Sequence, residues 1–171
     1  MNGALRAVVV MGVSGSGKTT IGRALAERLG WAFYDADAFH SEANRRKMAA
    51  GEPLTDEDRW PWLDRLAALL QERVASGEGT VLACSALRRA YRERLGVPSP
   101  EVALLHLEAP PEVLDARLRE RIGHYMPPSL LASQLATLEP PGDAITISVA
   151  QDVGTVVERA IAALEPLRRD P

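Results

Sequence analysis

The most constraining feature of this chain is a glycine-rich octapeptide at residues 12–19, GVSGSGKT, between an apolar run and a helical pattern. It matches G-x-x-x-x-G-K-[ST] in full, in the strand–loop–helix context that this motif requires. Backbone N–H groups of such a loop wrap phosphate oxygens, because glycines leave the backbone unobstructed and the helix N-terminus adds positive potential. The loop therefore predicts a site for the phosphates of a nucleotide.

Two side chains of the loop have specific expected roles. Lys18 would reach the β- and γ-phosphates of ATP, and the Thr19 hydroxyl would coordinate Mg²⁺. A glycine-rich turn without a ligand is the alternative, and the strand and helix on either side disfavour it. The residues predicted to bind ATP here are Gly12, Val13, Ser14, Gly15, Ser16, Gly17, Lys18, Thr19 and Thr20.

Short apolar runs alternate with amphipathic segments along the rest of the chain. This pattern predicts an α/β fold, in which helices cover both faces of a parallel sheet. Strands are expected at residues 5–11, 31–35, 80–84, 102–107 and 145–149. Helices are expected after the loop, at 38–50, 59–75, from a Ser85 cap onward, at 111–122, at 129–138 and from 152. Ligands of such sheets sit at the carboxyl ends of the strands.

Bulk properties limit the classes of function. A length of 171 residues suits one domain, over 1–171. The net charge of -3 argues against nucleic acid as a partner. No apolar stretch approaches the roughly 18 residues that span a bilayer, so no membrane association is expected. The single cysteine fits a reducing compartment, and we expect a cytoplasmic protein.

Two carboxylates follow the second predicted strand. Asp35 and Asp37 can both face the γ-phosphate, where one would hold Mg²⁺ and the other would orient and deprotonate an acceptor hydroxyl. The alternative is that they only cap the next helix.

Basic and polar residues beyond that strand are candidates for binding an acidic, hydroxylated substrate. His40, Asn44 and Lys47 would share one helix face, with a solvated face as the rival interpretation. Lys47 is notable because only Lys18 and Lys47 among the 20 basic residues are lysines. The guanidinium groups of Arg59, Arg88 and Arg92 are candidates to bind a carboxylate, or else are surface charges; Arg88 and Arg92 are expected on one helix face.

The sequence closely resembles the gluconokinases, small P-loop kinases. The matching segments are GVSGSGKT (12–19), DADAFH (35–40), Asn44, KMAAGEPLTDEDR (47–59), PWL (61–63), CSALRRAYRERL (84–95), GHYMP (123–127), Ser133-Gln134 and Leu138-Glu139. The resemblance implies transfer of the γ-phosphate of ATP to D-gluconate, giving 6-phosphogluconate. Tyr125 and the pair Leu135-Ala136 depart from the usual family residues.

The resemblance also implies several structural roles. It predicts a P-loop NTPase fold of the nucleoside-monophosphate-kinase type, with three layers, five parallel strands and a small helical lid at about 119–138. No acidic residue ends the third strand, so Asp35 takes the metal-supporting role and Asp37 the catalytic one. In related kinases, arginines of the lid lie over adenine or reach the phosphates. This makes Arg117 and Arg121 candidates for ATP binding, with Arg121 also catalytic; we add His124 as a candidate for substrate binding.

Other functions remain open at this point. A different P-loop kinase would act on shikimate, adenylylsulfate or a nucleoside monophosphate, although the segment 47–63 does not fit shikimate kinase. A non-catalytic nucleotide switch would be expected to carry D-x-x-G and [NT]-K-x-D motifs, and neither is present. The sequence leaves open whether the chain forms a homodimer.

Overall fold

The computed structural model describes residues 4–120 and 128–168, without the side chains of 128–130. Five parallel strands form one sheet in the order β2-β3-β1-β4-β5. The strands are β1 (Ala7–Met11), β2 (Ala32–Asp35), β3 (Thr80–Ala83), β4 (Val102–Glu108) and β5 (Ile145–Ser148). The predicted five-stranded parallel sheet is therefore confirmed.

Helices connect the strands. They are α1 (Lys18–Leu29), α2 (Glu42–Ala49), α3 (Asp56–Ser76), α4 (Arg89–Leu95), α5 (Pro111–Glu120), α6 (Pro128–Thr137) and α7 (Val153–Arg168), and a 3₁₀ turn covers Ala36–Phe39. None of the helices within the described ranges is long and apolar enough to cross a membrane.

The sheet is buried on both faces. Val8 and Val10 of β1 point into a core shared with α1 and α7, whereas Val9 points into the opposite core, shared with α3 and α4. This alternation follows from the two-residue period of a strand. A third cluster lies beneath the glycine-rich loop, where Val13 contacts apolar residues of α5 and α6. The molecule thus has the predicted three-layer α/β architecture.

The helix predicted after Ser85 begins later than expected. Arg88 is its N-terminal cap residue, α4 starts at Arg89, and Ala86 has a positive φ of 46°. The irregular segment before α4 therefore keeps Arg88 off the helix that carries Arg92. The expectation that these two arginines share one helix face was wrong.

Two other helix boundaries also differ from the sequence expectation. The helix predicted over 38–50 is split into the 3₁₀ turn and α2, because Ser41 caps α2 through the Asn44 N–H. His40 consequently lies before α2. Helix α3 starts three residues earlier than predicted, since Thr55 and Asp58 form a reciprocal capping box.

Candidate active site

The glycine-rich loop has the geometry of a phosphate cradle. Gly15 and Gly17 have φ values of 85° and 88°, in the left-handed region that other residues resist. A Cβ at Gly12 would lie 2.6 Å from Ser16 Oγ and 2.9 Å from the Leu107 carbonyl oxygen. Because Gly17 caps α1 without a side-chain acceptor, the first N–H groups of the helix are not capped from within. The residues present therefore fit a bound phosphate.

Lys18 and Ser16 complete the loop. The Lys18 ammonium donates to the Val13 carbonyl at 3.2 Å, which places the charge over the first half of the loop. Ser16 Oγ is fully buried and has no hydrogen-bond partner among the described residues. A buried hydroxyl of this kind is uncommon and often marks a functional site.

The end of β2 faces the start of α1. The Thr19 hydroxyl donates to Asp35 Oδ2 at 3.3 Å, so two oxygen ligands of the kind Mg²⁺ prefers converge beside the phosphate loop. Within the described ranges no three or more His, Cys, Asp or Glu residues cluster as a metal site. A magnesium ion held here would take its remaining ligands from phosphates and water, as this ion commonly does.

Asp35 and Asp37 occupy different environments. Asp35 Oδ1 accepts the Asp37 N–H at 3.0 Å, so Asp35 caps the 3₁₀ turn while its other oxygen faces Thr19. Asp37 is an exposed residue, but neighbouring atoms exclude water from part of its carboxyl group, and this desolvation raises its pKa. The negative charge of Asp35 adds to this increase, and Lys18 partly opposes it. A carboxylate with a raised pKa near the phosphate loop is suited to accept a proton.

His40 is a neutral, packed side chain. It is 7% exposed and stacks on Trp62, with ring centroids 4.1 Å apart. Burial, with the charges of Arg45 and Arg59, lowers its pKa to about 4. Asn44 Nδ2 lies 3.3 Å from His40 Nδ1; an amide nitrogen only donates, so Nδ1 accepts and the ring proton is on Nε2.

Lys47 is paired within the chain. Its ammonium donates to Asp58 Oδ2 at 2.7 Å, and Asp58 also accepts the Thr55 N–H in the α3 cap. The hydrogen bond to Asp58 raises the pKa of Lys47, and the same contact is the main reason that the Asp58 pKa falls to about 2. Lys47 thus joins α2 to the start of α3.

Arg59 and Arg88 meet at a cluster that the sequence did not reveal. Asp56 Oδ1 accepts the Tyr91 hydroxyl at 2.6 Å and lies 3.4 Å from Arg59 Nη1, while Asp56 Oδ2 lies 3.7 Å from Arg88 Nη1. Both guanidinium groups also lie over the Tyr91 ring. Burial, followed by the hydrogen bond to Asp56, raises the pKa of Tyr91. The cluster presents two cations around one carboxylate.

Arg92 has a different environment from that expected. It is 5% exposed, and its guanidinium donates to the carbonyl oxygens of Ala86, Leu87 and Glu139 at 2.7, 3.2 and 2.8 Å. Because these main-chain acceptors occupy both terminal nitrogens, the geometry disagrees with a role as the carboxylate-binding arginine. Arg92 instead holds the segment after α6 against the segment before α4.

Comparison with known proteins gives consistent matches. The AAA domain family model matches residues 8–141. A gluconokinase of Gluconobacter oxydans is 54% identical over 138 residues, which are 81% of this chain and 78% of that protein. The crystal structure of a gluconokinase from Sinorhizobium meliloti has a TM-score of 0.83 at 46% identity, covering 95% of this chain and 93% of that one. This chain belongs to the gluconokinase family.

Other solved structures share the fold at different levels of sequence identity. A sugar kinase from Janibacter sp. is still close, with a TM-score of 0.85 at 50% identity over 94% of this chain and 95% of that one. An adenylylsulfate (APS) kinase from Mycobacterium tuberculosis and a shikimate kinase from Bacteroides thetaiotaomicron are only 17% and 20% identical, with TM-scores of 0.67 and 0.64. Two of the three rival substrate classes named from the sequence, adenylylsulfate and shikimate, therefore belong to proteins that share only the fold with this gluconokinase-family chain.

A cavity of about 490 Å³ adjoins the phosphate loop of this gluconokinase-family chain. Its lining includes Gly17 and Thr20 together with Arg117, Val149, Gln151, Asp152 and Val153. Arg117 Nη2 donates to the carbonyl of Val149, so two lining residues of the cavity are joined by this hydrogen bond. The sequence analysis missed the segment 149–153; its position directly after the fifth predicted strand was the available signal. Arg121 and His124 lie outside the described residues.

Proposed function

We propose that this chain transfers the γ-phosphoryl group of ATP to a hydroxyl of D-gluconate and so produces 6-phosphogluconate. The observation that carries the proposal is the phosphate loop facing Thr19, Asp35 and Asp37 at the carboxyl end of the sheet. The relatives named as gluconokinases support the substrate, since they match across most of the chain.

The nucleotide would extend from the loop into the adjacent cavity. Its phosphates would lie on the loop amides and Lys18, and its base in the 490 Å³ cavity beside Arg117. Mg²⁺, held by Thr19 and Asp35, would neutralise charge on the phosphates. Arg117 thus remains a predicted contact for ATP, as does Arg121.

The acceptor would lie beside Asp37, across the phosphate loop from the base. Asp37 would orient the attacking hydroxyl and accept its proton, and the transferred group would move in line from ATP. Arg59 and Arg88 are the proposed partners of the gluconate carboxylate, which would compete with Asp56 for them. The proton on His40 Nε2 would be available to a substrate hydroxyl, and Lys47 and His124 remain predicted substrate contacts.

We also propose a cytoplasmic location, because the reaction needs ATP and the single thiol, Cys84, is buried with its pKa raised to about 12. The absence of a nucleic-acid partner stays a prediction, and a homodimer stays one of the open alternatives for the assembly.

The test is a coupled assay of ADP release with MgATP and one acceptor at a time. Gluconate should give turnover, whereas shikimate, adenylylsulfate, AMP and CMP should not. Turnover with a different acceptor would support kinase activity but reject gluconate as the substrate. No turnover with any of them would favour a nucleotide-binding module.

A further inference from the structure

A side chain of α6 contacts the phosphate loop directly. Gln134 Oε1 accepts the Ser14 N–H at 2.7 Å, although the two residues are 120 positions apart in the chain. Two other amides of the loop, those of Gly12 and Ser16, donate instead to backbone carbonyls. Gln134 thus provides a side-chain acceptor to a loop whose amides are suited to phosphate.

Helix α6 is held firmly at this position. Leu131 and Leu135 pack in the cluster that contains Val13 of the loop. Just after the helix, the Glu139 N–H donates to the Leu87 carbonyl at 2.8 Å, and the Glu139 carbonyl accepts from buried Arg92. The contact between Gln134 and Ser14 therefore rests on a packed helix that is fixed at its C-terminal end.

The contact lies at the γ-phosphate end of the loop. The Lys18 ammonium, which binds β- and γ-phosphates in loops of this type, is 3.2 Å from the carbonyl of Val13, the residue before Ser14. The cavity for the base adjoins Gly17 and Thr20, at the opposite end of the loop. In bound ATP the terminal phosphate would accordingly lie near Gln134, and the base would lie away from it.

The chemistry of the amide suits a bridging position. Its oxygen is occupied by the Ser14 N–H, and its NH₂ group makes no hydrogen bond to any of the described residues. Phosphate oxygens only accept hydrogen bonds, and loop amides only donate them. A glutamine can therefore accept from the loop and donate to the phosphate at the same time, which neither a carboxylate nor an ammonium can do.

We propose that Gln134 is a positioning residue that recognises the γ-phosphate: Oε1 holds the Ser14 N–H, and the side-chain NH₂ donates to a γ-phosphate oxygen of bound ATP. The inference rests on the proposed use of ATP, but not on gluconate as the acceptor. Its consequence is that α6 is tied to the loop more strongly with ATP than with ADP. The enzyme would thereby distinguish its substrate nucleotide from its product.

Two substitutions separate the functions of the amide. Gln134→Glu keeps an acceptor for Ser14, loses the donors and places a negative charge beside the phosphate. Gln134→Met keeps the length of the side chain and loses both functions. Ser133→Ala is the control, because Ser133 is an exposed neighbour on α6 whose side chain makes no hydrogen bond to the described residues.

The experiment measures equilibrium dissociation constants by calorimetry for the magnesium complexes of ADP and a nonhydrolysable ATP analogue, without an acceptor. Gln134→Met should weaken binding of the ATP analogue about tenfold, the usual value of a hydrogen bond to a charged group, and leave ADP within about twofold. Gln134→Glu should weaken the analogue further, and Ser133→Ala should match the unchanged protein. Thermal unfolding establishes that each variant is folded.

Equal weakening of both nucleotides would overturn the proposal and leave a purely structural contact. Tighter binding of the analogue by Gln134→Met would also overturn it, because Gln134 would then compete with the phosphate. If the unchanged protein bound neither nucleotide, the proposed kinase function itself would fail. If the nucleotides were discriminated as expected but the ADP-release assay showed no turnover with gluconate, only gluconate as the acceptor would be rejected.

Discussion

Burial of His40 as a neutral ring makes a strong prediction about stability and pH. The folded protein holds the pKa of this ring at about 4, against an ordinary value of 6.5. A proton on Nδ1 would point at the NH₂ group of Asn44, which is itself a hydrogen-bond donor, and the positive charges of Arg45 and Arg59 would repel the charged ring. Between these two pKa values His40 therefore binds a proton in the unfolded chain but not in the folded one. The free energy of unfolding must fall as the pH decreases through this window.

The magnitude follows from the two pKa values. At about pH 7.5 both states are neutral, so the contribution of titration is close to zero. At about pH 5 the unfolded ring is almost fully protonated and the folded ring is mostly neutral, which costs about 2 kcal/mol of stability. The full effect, reached below the folded pKa, is about 3 kcal/mol.

His40→Phe isolates this contribution. Phenylalanine retains the stacking on Trp62 but cannot titrate, and it loses the hydrogen bond to Asn44, at a cost of about 1 kcal/mol. The variant should be the less stable protein at about pH 7.5 and should equal or exceed the parent at about pH 5. Carboxylates and His106 titrate in both proteins, so their contributions largely cancel in the difference.

Urea unfolding at the two pH values measures the effect as a change in the free energy of unfolding. The stability gap between the parent and His40→Phe should shift by about 2 kcal/mol in favour of the variant on acidification. A gap that stays constant within about 0.5 kcal/mol would falsify the reasoning, since His40 would then titrate alike in both states.

Four further predictions concern the site and the core. Asp37→Asn should reduce kcat about 100-fold or more while the dissociation constant of MgATP stays near normal; a large loss of nucleotide affinity would argue against its role as the base. The rate of the unchanged enzyme should fall on acidification through the Asp37 pKa, which lies above the ordinary carboxyl value, because a base must be deprotonated. Lys47→Arg should raise the KM for gluconate several-fold. An unchanged KM would mean that Lys47 pairs with Asp58 but does not contact the substrate. Gly22→Ala should lower stability by about 1–3 kcal/mol, because the new Cβ would lie 2.8 Å from Phe33 Cε2. Gly154→Ala is the control: its Cβ would meet Asp152 Oδ1 only at 3.7 Å, so the change should be neutral or stabilising. Thermal unfolding measures both.

Features encoded by short stretches of sequence could be predicted reliably. The phosphate loop, the strands and the pairing of Thr19 with Asp35 depend on residues close to strand ends, and a parallel sheet brings those ends together. Helix boundaries were less predictable, because capping by Ser41 and Thr55 and the irregular path at Ala86 decided them. A hydrophobic period locates a helix but does not locate its cap.

The sequence by itself determined the fold class, the phosphate loop and the carboxylates beside it, since each is set by local pattern and by the rules of parallel sheets. Only the tertiary structure decided which partners each arginine has. Nothing in the sequence distinguishes the side chains of Arg88 and Arg92. In the fold, Arg92 is buried and donates to three main-chain carbonyl oxygens, whereas Arg88 lies near the carboxylate of Asp56. The contact of Gln134 with Ser14 was likewise decided by the packing of α6. Contacts between residues far apart in the chain depend on how whole elements pack, and no local periodicity encodes them.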